Sequence, residues 1–468
     1  MGILKAAEIE FSVTVPVLVI GAGACGLVAA LAARGERADV LVLERDRVPS
    51  GSTALSSGMI PACGTRLQSE ADVDDSPAIM AADILNKAEG EADQEMVEAI
   101  CRASGPTIDW LIDDLAIELT LVSGFLYPGH SHLRMHAPPS RTGEDLIGGL
   151  TRAAERMDVD LMTSAHVTDL VANEDTRIVG VRVQRPDGSS EFIGCDSLIL
   201  ACNGFGGNPK LVRRHLPDMA DALYFGHGRN QGDAILWGAE LDARLEHLGS
   251  YQGHGSVACP HNILITWALM MEGGIQVNAE GKRFSSEHQG YSEQARAVLA
   301  QPGGIAWNIY DDRLHLLGQE FDDYLRAEKA GAIVTAPDLV SLAGELGIPA
   351  NALATTVHQV TEYVRGQADP FGRNFAAKPA LQAPYYAVKV TGALFHTQGG
   401  IVVDGNARAI KADGRPFPNL FAGGGAACGV SGSSDRGYLS GNGLLTAVVL
   451  GRLAGTSAAR QVRDRTGI

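Results

Sequence analysis

The chain has 468 residues, 45% of them apolar and 20% charged, a balance that excludes a disordered, fibrous or collagen-like protein. At ~150 residues per domain the length predicts about three domains, or one large α/β unit carrying an insertion. Its 38 Lys and Arg against 55 Asp and Glu leave a formal charge of −17, and so acidic a surface repels phosphate backbones, so no nucleic-acid partner is expected.

Glycine is in surplus, 56 residues of 468, about 12% against the usual ~7%. Without low complexity, that surplus marks tight turns and close backbone approaches. Seven cysteines (Cys25, Cys63, Cys101, Cys195, Cys202, Cys259 and Cys428) are scattered without a C-x-x-C pair. They fit a reducing, cytoplasmic setting and give no disulfide framework, zinc knuckle or haem attachment. Residues 1–10 carry Glu8 and Glu10 and lack a basic-then-apolar pattern, so no secretory signal is expected. Residues 11–33 are uncharged and long enough for a membrane span, but their glycines have a better explanation, and no membrane partner is expected.

Residues 15–20 form a β-branched run suited to a strand buried on both faces. Gly21-Ala22-Gly23-Ala24-Cys25-Gly26 follows, then an Ala/Leu-rich helix at 27–33 and a second strand at 40–43, ending at Glu44. This is the βαβ dinucleotide fingerprint in its full context. Gly21 permits the turn, Gly23 lets backbone approach a pyrophosphate, and Gly26 allows close helix–sheet packing. The helix N-terminus offers N–H groups and positive dipole to the phosphates. Glu44, 18 residues beyond Gly26, is placed to accept from ribose hydroxyls. An acidic residue there disfavours a 2′-phosphate and leaves FAD or NAD.

Residues 75–121 read as helical and amphipathic, with Ile79, Met80, Ile84 and Leu85, then Val97, Ile100, Ile108 and Leu111 at helical spacing. An apolar strand at 198–202 runs into Asn203-Gly204-Phe205-Gly206-Gly207. From about 245 to 387 the strand–glycine–helix rhythm lapses. A mixed piece (275–278 and 281–284) precedes helices at 338–346 and 351–364, punctuated by Pro349, Pro370 and Pro384. The closing block carries Phe421-Ala422-Gly423-Gly424-Gly425 and Gly437-Tyr438-Leu439-Ser440-Gly441-Asn442-Gly443, then a helix to 454. The helix start at 442–444 could aim N–H groups at a flavin pyrimidine ring, where negative charge collects on reduction. A fingerprint that opens the chain and a glycine block that closes it favour one long, bent cofactor, FAD over NAD. The expected fold is α/β: a Rossmann-like FAD-binding domain (1–245 and 387–468) with an inserted α+β capping, substrate domain (246–386).

The fingerprint, Gly232-Asp233, Val277-Asn278-Ala279-Glu280-Gly281-Lys282-Arg283-Phe284, His396-Thr397-Gln398-Gly399-Gly400 and the block at 437–443 occur in this order. Together they resemble the fumarate reductase/succinate dehydrogenase flavoprotein superfamily, which includes the 3-ketosteroid Δ1-dehydrogenases. The resemblance implies an FAD domain with an inserted cap and an active site at the flavin ring in the cleft between them. It implies FAD contacts from Gly21, Gly23, Ala24, Gly26, Glu44, Arg45, Ser52, Thr53, Ser57, Gly58, Val167, Asn203, Gly204, Gly232, Asp233, Gly424, Gly441, Asn442 and Leu444. Membrane-type relatives attach FAD through a histidine in the segment matching Gly51-Ser52-Thr53-Ala54. No histidine stands there, so noncovalent FAD is expected.

Where fumarate reductases place an arginine proton donor after the G-x-R-F segment, this chain has Tyr291. Where they hold a substrate carboxylate with an arginine of the closing block, it has Tyr438. Their substrate-binding histidine at the cap entrance is matched to Tyr251, while His396 is kept. Loss of both arginines removes the bidentate clamps for a dicarboxylate. The tyrosine pair resembles the ketosteroid dehydrogenase arrangement. That likeness implies Tyr438 as the donor polarising a ketone, aided by a backbone N–H at 441–443, and Tyr291 as the base removing the α-proton. It also implies Tyr127 as a proton relay and hydride transfer from the β-carbon to flavin N5.

Desaturating a carbon pair needs one hydrogen made acidic, which a neighbouring ketone does by enolisation. A neutral phenol can donate to the developing enolate without a fixed charge, and a second phenol can be the base if its pKa is lowered. The expected activity is desaturation of a small-molecule cyclic ketone by an FAD-dependent oxidoreductase, with oxygen or another external electron acceptor. The compact chain points to a small ring, such as an oxocyclohexane carboxylate, over a 3-ketosteroid. The alternatives are a flavin reductase of an activated C=C bond and a non-catalytic electron carrier. His130, His132, His136 and His288 lack metal-ligand spacing with a carboxylate and read as solvated loop residues, so no metal is expected. Arg134 and Arg141 read as surface charges.

Overall fold

The structure is a computed structural model that describes residues 2–124, 126–376 and 378–466. Met1 and residues 467–468, the outer limits of the expected FAD-binding parts, lie outside the described residues. The chain forms two compact units. The first takes Met1–Leu216, Gly226–Tyr251 and His396–Ile468, and the second takes Pro217–Phe225 and Gln252–Phe395. The divisions therefore fall at 251/252 and 395/396, where 245/246 and 386/387 were expected. Residues 217–225 go with the second unit because Leu223–Tyr224 pairs in parallel with Tyr385–Thr397.

Among the described residues the first unit is built on a nine-stranded sheet. Its parallel heart runs Pro416–Ala422, Ser190–Leu200, Val13–Ile20, Val40–Leu43, Asp160–Met162. The strands Val13–Ile20 and Val40–Leu43 become wholly buried toward their C-terminal ends, where the fingerprint turn begins. Their near-continuous Val, Leu and Ile content is what a strand covered on both faces requires. Ser190–Leu200 is longer than the expected strand and ends two residues sooner. Its first half pairs antiparallel with Ile178–Gln184 and its second half pairs in parallel with Pro416–Ala422.

The helix Ala24–Gly35 is buried along almost its whole length and packs on the closing helix Asn442–Thr466. Small residues allow this. A Cβ on Gly455 would lie 2.0 Å from the Ala29 carbonyl oxygen. The closing helix runs past the expected end at 454, since Ala458, Ala459 and Val462 keep an apolar side in the core. The stretch expected to be helical at 75–121 is two helices, Pro77–Lys87 and Gln94–Asp113, followed by the strand Thr120–Leu121. Ser76 and Asp93 accept from backbone N–H groups at the two helix starts, which divides the apolar stripe in two.

Among the described residues the second unit holds a seven-stranded sheet in the order Ile263–Leu264, Tyr251–Ala258, Tyr385–Thr397, Ile305–Asp311, Ile275–Val277. Leu223–Tyr224 and Ile333–Ala336 also pair with Tyr385–Thr397. Helices Leu339–Leu346 and Ala350–Val364 lie where the apolar spacing placed them.

All seven cysteines are free thiols. Burial pushes Cys25 and Cys202 up to about 12, so neither is a nucleophile at neutral pH. Among the described residues no helix is long and apolar enough to cross a membrane. Residues 11–33 divide instead into the first strand and helix of the βαβ unit.

Candidate active site

In the first unit the fingerprint turn sits at the C-terminal edge of the parallel strands, the usual ligand edge of such sheets. Gly21 has φ +104°, and a Cβ there would lie 2.6 Å from the Ala201 carbonyl oxygen. A Cβ on Gly26 would lie 1.8 Å from the Gly21 oxygen, so both glycines answer to the protein's own backbone. Gly23 differs. Its Cβ would meet nothing nearer than Thr53 Oγ1 at 3.5 Å, which leaves a cradle that a pyrophosphate fits.

Other groups around the cradle suit the same ligand. Ala24 N–H donates to Thr53 Oγ1 at 3.0 Å. Ser52 Oγ accepts from Asn203 Nδ2 at 3.2 Å and Asn230 Nδ2 at 2.9 Å, so its one hydroxyl hydrogen is directed to an acceptor such as a phosphate oxygen. Glu44 accepts from Ala22 N–H and Asp46 N–H, each at 2.8 Å. That fixes the carboxylate at the strand end and leaves a lone pair on each oxygen for a ribose hydroxyl.

Arg45 lies 3.4 Å from Asp233, the first residue of the helix Asp233–Glu240, whose N-cap Gly232 has φ +83°. Burial raises the Asp233 carboxyl, and its Oδ1 is buried with no partner among the described residues, as an acceptor for a hydroxyl-bearing ligand would be. Asn203, at φ +65°, accepts from Gly204 N–H through its own Oδ1 at 2.7 Å. Gly424 opens a short turn, Gly424–Ala426. Gly58 is buried while Ser57 is exposed. Val167 is a core strand residue, and Leu444 packs at the edge of that core. The residue types and their placement fit FAD. Glu44→Arg is expected to weaken FAD binding by about 10- to 100-fold, the cost of hydrogen bonds to a charged group. Flavin content after gel filtration measures this, and an unchanged flavin-to-protein ratio would show that Glu44 does not hold the ribose.

The same unit carries Tyr438 and His396, their rings edge to face with centroids 5.6 Å apart. The backbone N–H groups of Gly441 and Gly443 address the Tyr438 oxygen. A backbone N–H of 441–443 is expected on the substrate oxygen beside Tyr438; those of Gly441 and Gly443 address the phenol itself. Burial outweighs them and raises the phenol well above its ordinary value, so Tyr438 is a neutral donor at any working pH.

His396 belongs to a buried chain of amides and hydroxyls. Gln398 Nε2 donates to His396 Nδ1 at 2.8 Å, Ser431 Oγ donates to Gln398 Oε1 at 2.9 Å, and Asn442 Nδ2 donates to Ser431 Oγ at 3.0 Å. His396 therefore carries its proton on Nε2. Asn442 Oδ1 is buried and has no partner among the described residues, at the helix start where a flavin edge was expected. Tyr251 is buried at the end of the first unit's middle segment, next to Ser250, whose carbonyl accepts from Gln398 N–H at 2.9 Å. Tyr127 donates to Met59 Sδ at 2.9 Å, and burial raises its phenol.

The second unit positions Tyr291. It begins the helix Tyr291–Leu299 after Gly290, and this helix lies directly on the sheet at two glycines. A Cβ on Gly255 would lie 2.7 Å from the Gln294 backbone, and one on Gly392 would lie 2.2 Å from the Ala295 oxygen. Upstream, burial works to raise Glu287, but Arg283 and Arg373, at 2.7 and 2.9 Å, hold it down to about 2. This anchors the segment that leads into Tyr291.

The Tyr291 ring stacks on His254, centroids 4.9 Å apart at 20°, and His254 also meets Phe395 and Trp267. The sequence reading missed His254. Its one signal was a large polar ring flanked by glycines in Gln252-Gly253-His254-Gly255-Ser256. Ser256 N–H donates to His254 Nδ1 at 3.1 Å, which places the proton on Nε2.

Two expectations are overturned. His130 and His136 are buried and His288 is half-buried with its Nε2 out of solvent, rather than solvated, and Arg134, expected at the surface, has a fully buried side chain paired with Asp75. The sequence had no sign of this because the carboxylates that neutralise Arg134, Asp75 and Asp83, lie far back along the chain. Among the described residues no cluster of His, Cys, Asp and Glu could hold a metal ion.

Burial holds five histidines neutral, His130, His136, His288 and His396 at about 4 and His254 at about 3. The unfolded chain binds these protons near pH 6.5. Stability is therefore complete above about pH 6.5 and falls as the pH drops toward 4, by about 2 kcal/mol per histidine at pH 5. Urea midpoints that do not change between pH 7.5 and 5 would contradict this.

A Rossmann-type sheet with its glycine cradle, an acidic strand end and a second glycine block at a helix start define a dinucleotide-binding flavoprotein. Residues 16–444 match the family model described as FAD binding domain, and the chain belongs to this family of FAD-dependent oxidoreductases acting on CH–CH or C=C bonds. The chain is 31% identical to "Probable fumarate reductase Ifc3" of Shewanella frigidimarina (strain NCIMB 400), over 99% of this chain and 78% of that protein. A solved flavocytochrome c3 fumarate reductase in an open conformation superposes with TM-score 0.82 at 30% identity, covering 97% of this chain and 79% of that one. The 3-ketosteroid-Δ4-(5α)-dehydrogenase of Rhodococcus jostii RHA1, solved with 4-androstene-3,17-dione, superposes with TM-score 0.79 at 25% identity, covering 97% and 99%.

Proposed function

We propose that this protein desaturates a cyclic ketone, with Tyr438 of the first unit polarising the ketone and Tyr291 of the second removing the α-proton. The observation that carries the reading is the setting of Tyr438. Its oxygen is addressed by two backbone N–H groups and its pKa is raised by burial. With its oxygen accepting from those groups, the hydroxyl is a neutral, oriented donor for an enolate oxygen. A dicarboxylate site would need a cation there. The likeness to the Rhodococcus ketosteroid enzyme supports the same chemistry.

The ketone loses a proton from its α-carbon and a hydride from its β-carbon, and becomes the conjugated enone. When bound, FAD supplies the acceptor for the β-hydride, and an external acceptor, oxygen or another, then takes the electron pair. Gly21 to Gly26, Glu44, Ser52, Asn203, Asp233, Gly424 and Asn442 hold the cofactor in this reading, without a covalent bond, since Ser52 stands where attachment would need a histidine. Acid precipitation should leave all the flavin in the supernatant. The likeness to fumarate reductases favours a second reading, reduction of an activated C=C bond with Tyr291 as proton donor.

The deciding experiment adds saturated cyclic ketones, including 4-oxocyclohexane carboxylate and a 3-ketosteroid, to the yellow protein under anaerobic conditions. Bleaching by one of them supports desaturation and names the ring size. If none bleaches the flavin, but dithionite-reduced protein is reoxidised by an enone or acrylate, the second reading replaces the first.

A further inference from the structure

The loop before the short strand Met135–Ala137 carries a buried chain of polar groups that ends on the closing glycine block. Arg134 is held by Asp75 through two bonds, Nε to Oδ2 at 2.6 Å and NH2 to Oδ1 at 2.9 Å, and its NH1 donates to Asp83. The same NH1 lies 3.4 Å from His130 Nδ1, and His130 Nε2 lies 2.9 Å from the Ser440 carbonyl oxygen. A guanidinium can only donate, so Nδ1 must accept and the ring proton sits on Nε2, where it donates to Ser440. This carbonyl belongs to the peptide whose N–H is that of Gly441. Across a trans peptide the C=O and N–H point in opposite directions. Anchoring the carbonyl on His130 therefore turns the Gly441 N–H the other way, and that N–H addresses the Tyr438 oxygen.

We propose that His130, set by Arg134, is a positioning residue that holds the Ser440–Gly441 peptide in the orientation that aims the Tyr438 hydroxyl. The proposal rests on the reading of Tyr438 as the ketone-polarising donor. It assigns work to a histidine and an arginine that the chemistry above does not use. It also explains why the Arg134–Asp75 pair is buried, with Asp83 half-buried beside it: the two carboxylates fix the guanidinium whose NH1 donates to Nδ1.

Three measurements on the FAD-loaded protein test it. In the unaltered protein, nitrogen NMR of labelled histidine should find His130 as the neutral Nε2–H tautomer from pH 6 to 8; the Nδ1–H tautomer would overturn the proposal. With 3-fluorotyrosine at position 438, His130→Leu should shift the fluorine NMR resonance of the neutral phenol at pH 7.5, because an N–H bonded to its oxygen swings away. His130→Gln should restore the resonance, since its amide can donate to Ser440 and accept from Arg134. A resonance unmoved in His130→Leu also overturns the proposal.

In turnover, His130→Leu should lower kcat on the order of 10- to 100-fold with KM little changed, again rescued by glutamine. The fluorotyrosine resonance needs no substrate. A moved resonance in a protein that desaturates no ketone would therefore sink the functional reading and keep the clamp. An unmoved resonance in an active desaturase would sink the clamp alone.

Discussion

Tyr438→Phe is expected to lower ketone turnover by about 100- to 1,000-fold, the usual cost of removing one donor to a developing oxyanion. Phenylalanine keeps the ring and hence the edge-to-face packing on His396, centroids 5.6 Å apart, so FAD content and thermal stability should stay close to those of the parent. What is lost is the one oxygen that the N–H groups of Gly441 and Gly443 orient. Because the ground-state ketone carries little charge, kcat should fall far more than KM rises. Burial keeps the phenol protonated, so the parent's pH–rate profile should show no limb from this residue below pH 10. A variant with near-normal kcat would remove Tyr438 from the mechanism.

Tyr291→Phe is expected to cost about 100- to 10,000-fold in the rate of anaerobic flavin reduction, the range for loss of a general base. The stack on His254, 4.9 Å between centroids, survives the substitution, so ketone affinity should hold within a few-fold. The two variants part in heavy water. Tyr291→Phe should stop exchange of the α-hydrogen with solvent, while Tyr438→Phe should only slow it, because base and polarising donor are then separate groups. Equal exchange in parent and Tyr291→Phe protein would assign the proton to another residue. Burial makes His254 a poor proton acceptor, and its Nδ1 already accepts from Ser256 N–H at 3.1 Å.

The cofactor half of the site was legible because the backbone dictates it. Gly26 is fixed by a clash with Gly21 a few residues back and Gly21 by its φ of +104°, and Glu44 is reached by counting along one βαβ unit. The order of the later motifs gave the family, and Tyr291 and Tyr438 stood out only as departures from it. His254 and His130 were hidden for a shared reason. A histidine's role is set by what buries it, and their partners, Tyr291, Ser440 and Arg134 with its two carboxylates, come together only through tertiary packing. The strand Ile305–Asp311 escaped notice in the same way. Asn308 sits fully buried at its centre, a residue that reads as loop until Gln276 donates to it and it donates to Ser256. The helical reading of 75–121 failed on local chemistry, since two capping residues divide one continuous apolar stripe.

The strand Ser190–Leu200 has a consequence for biosynthesis. Its last residues, Leu198 to Leu200, lie between Leu18–Ile20, made early, and Leu420–Ala422, made late. A ribosome that has released the first two hundred residues has therefore delivered a sheet with one flank bare. The helix that covers Ala24–Gly35 is translated later still. Bare strand flanks invite pairing with other chains, so the nascent protein needs shelter until the C-terminal segments arrive. Flavin loading must wait for the same moment, because the cradle at Gly23 and the helix start at Asn442 lie far apart along the chain.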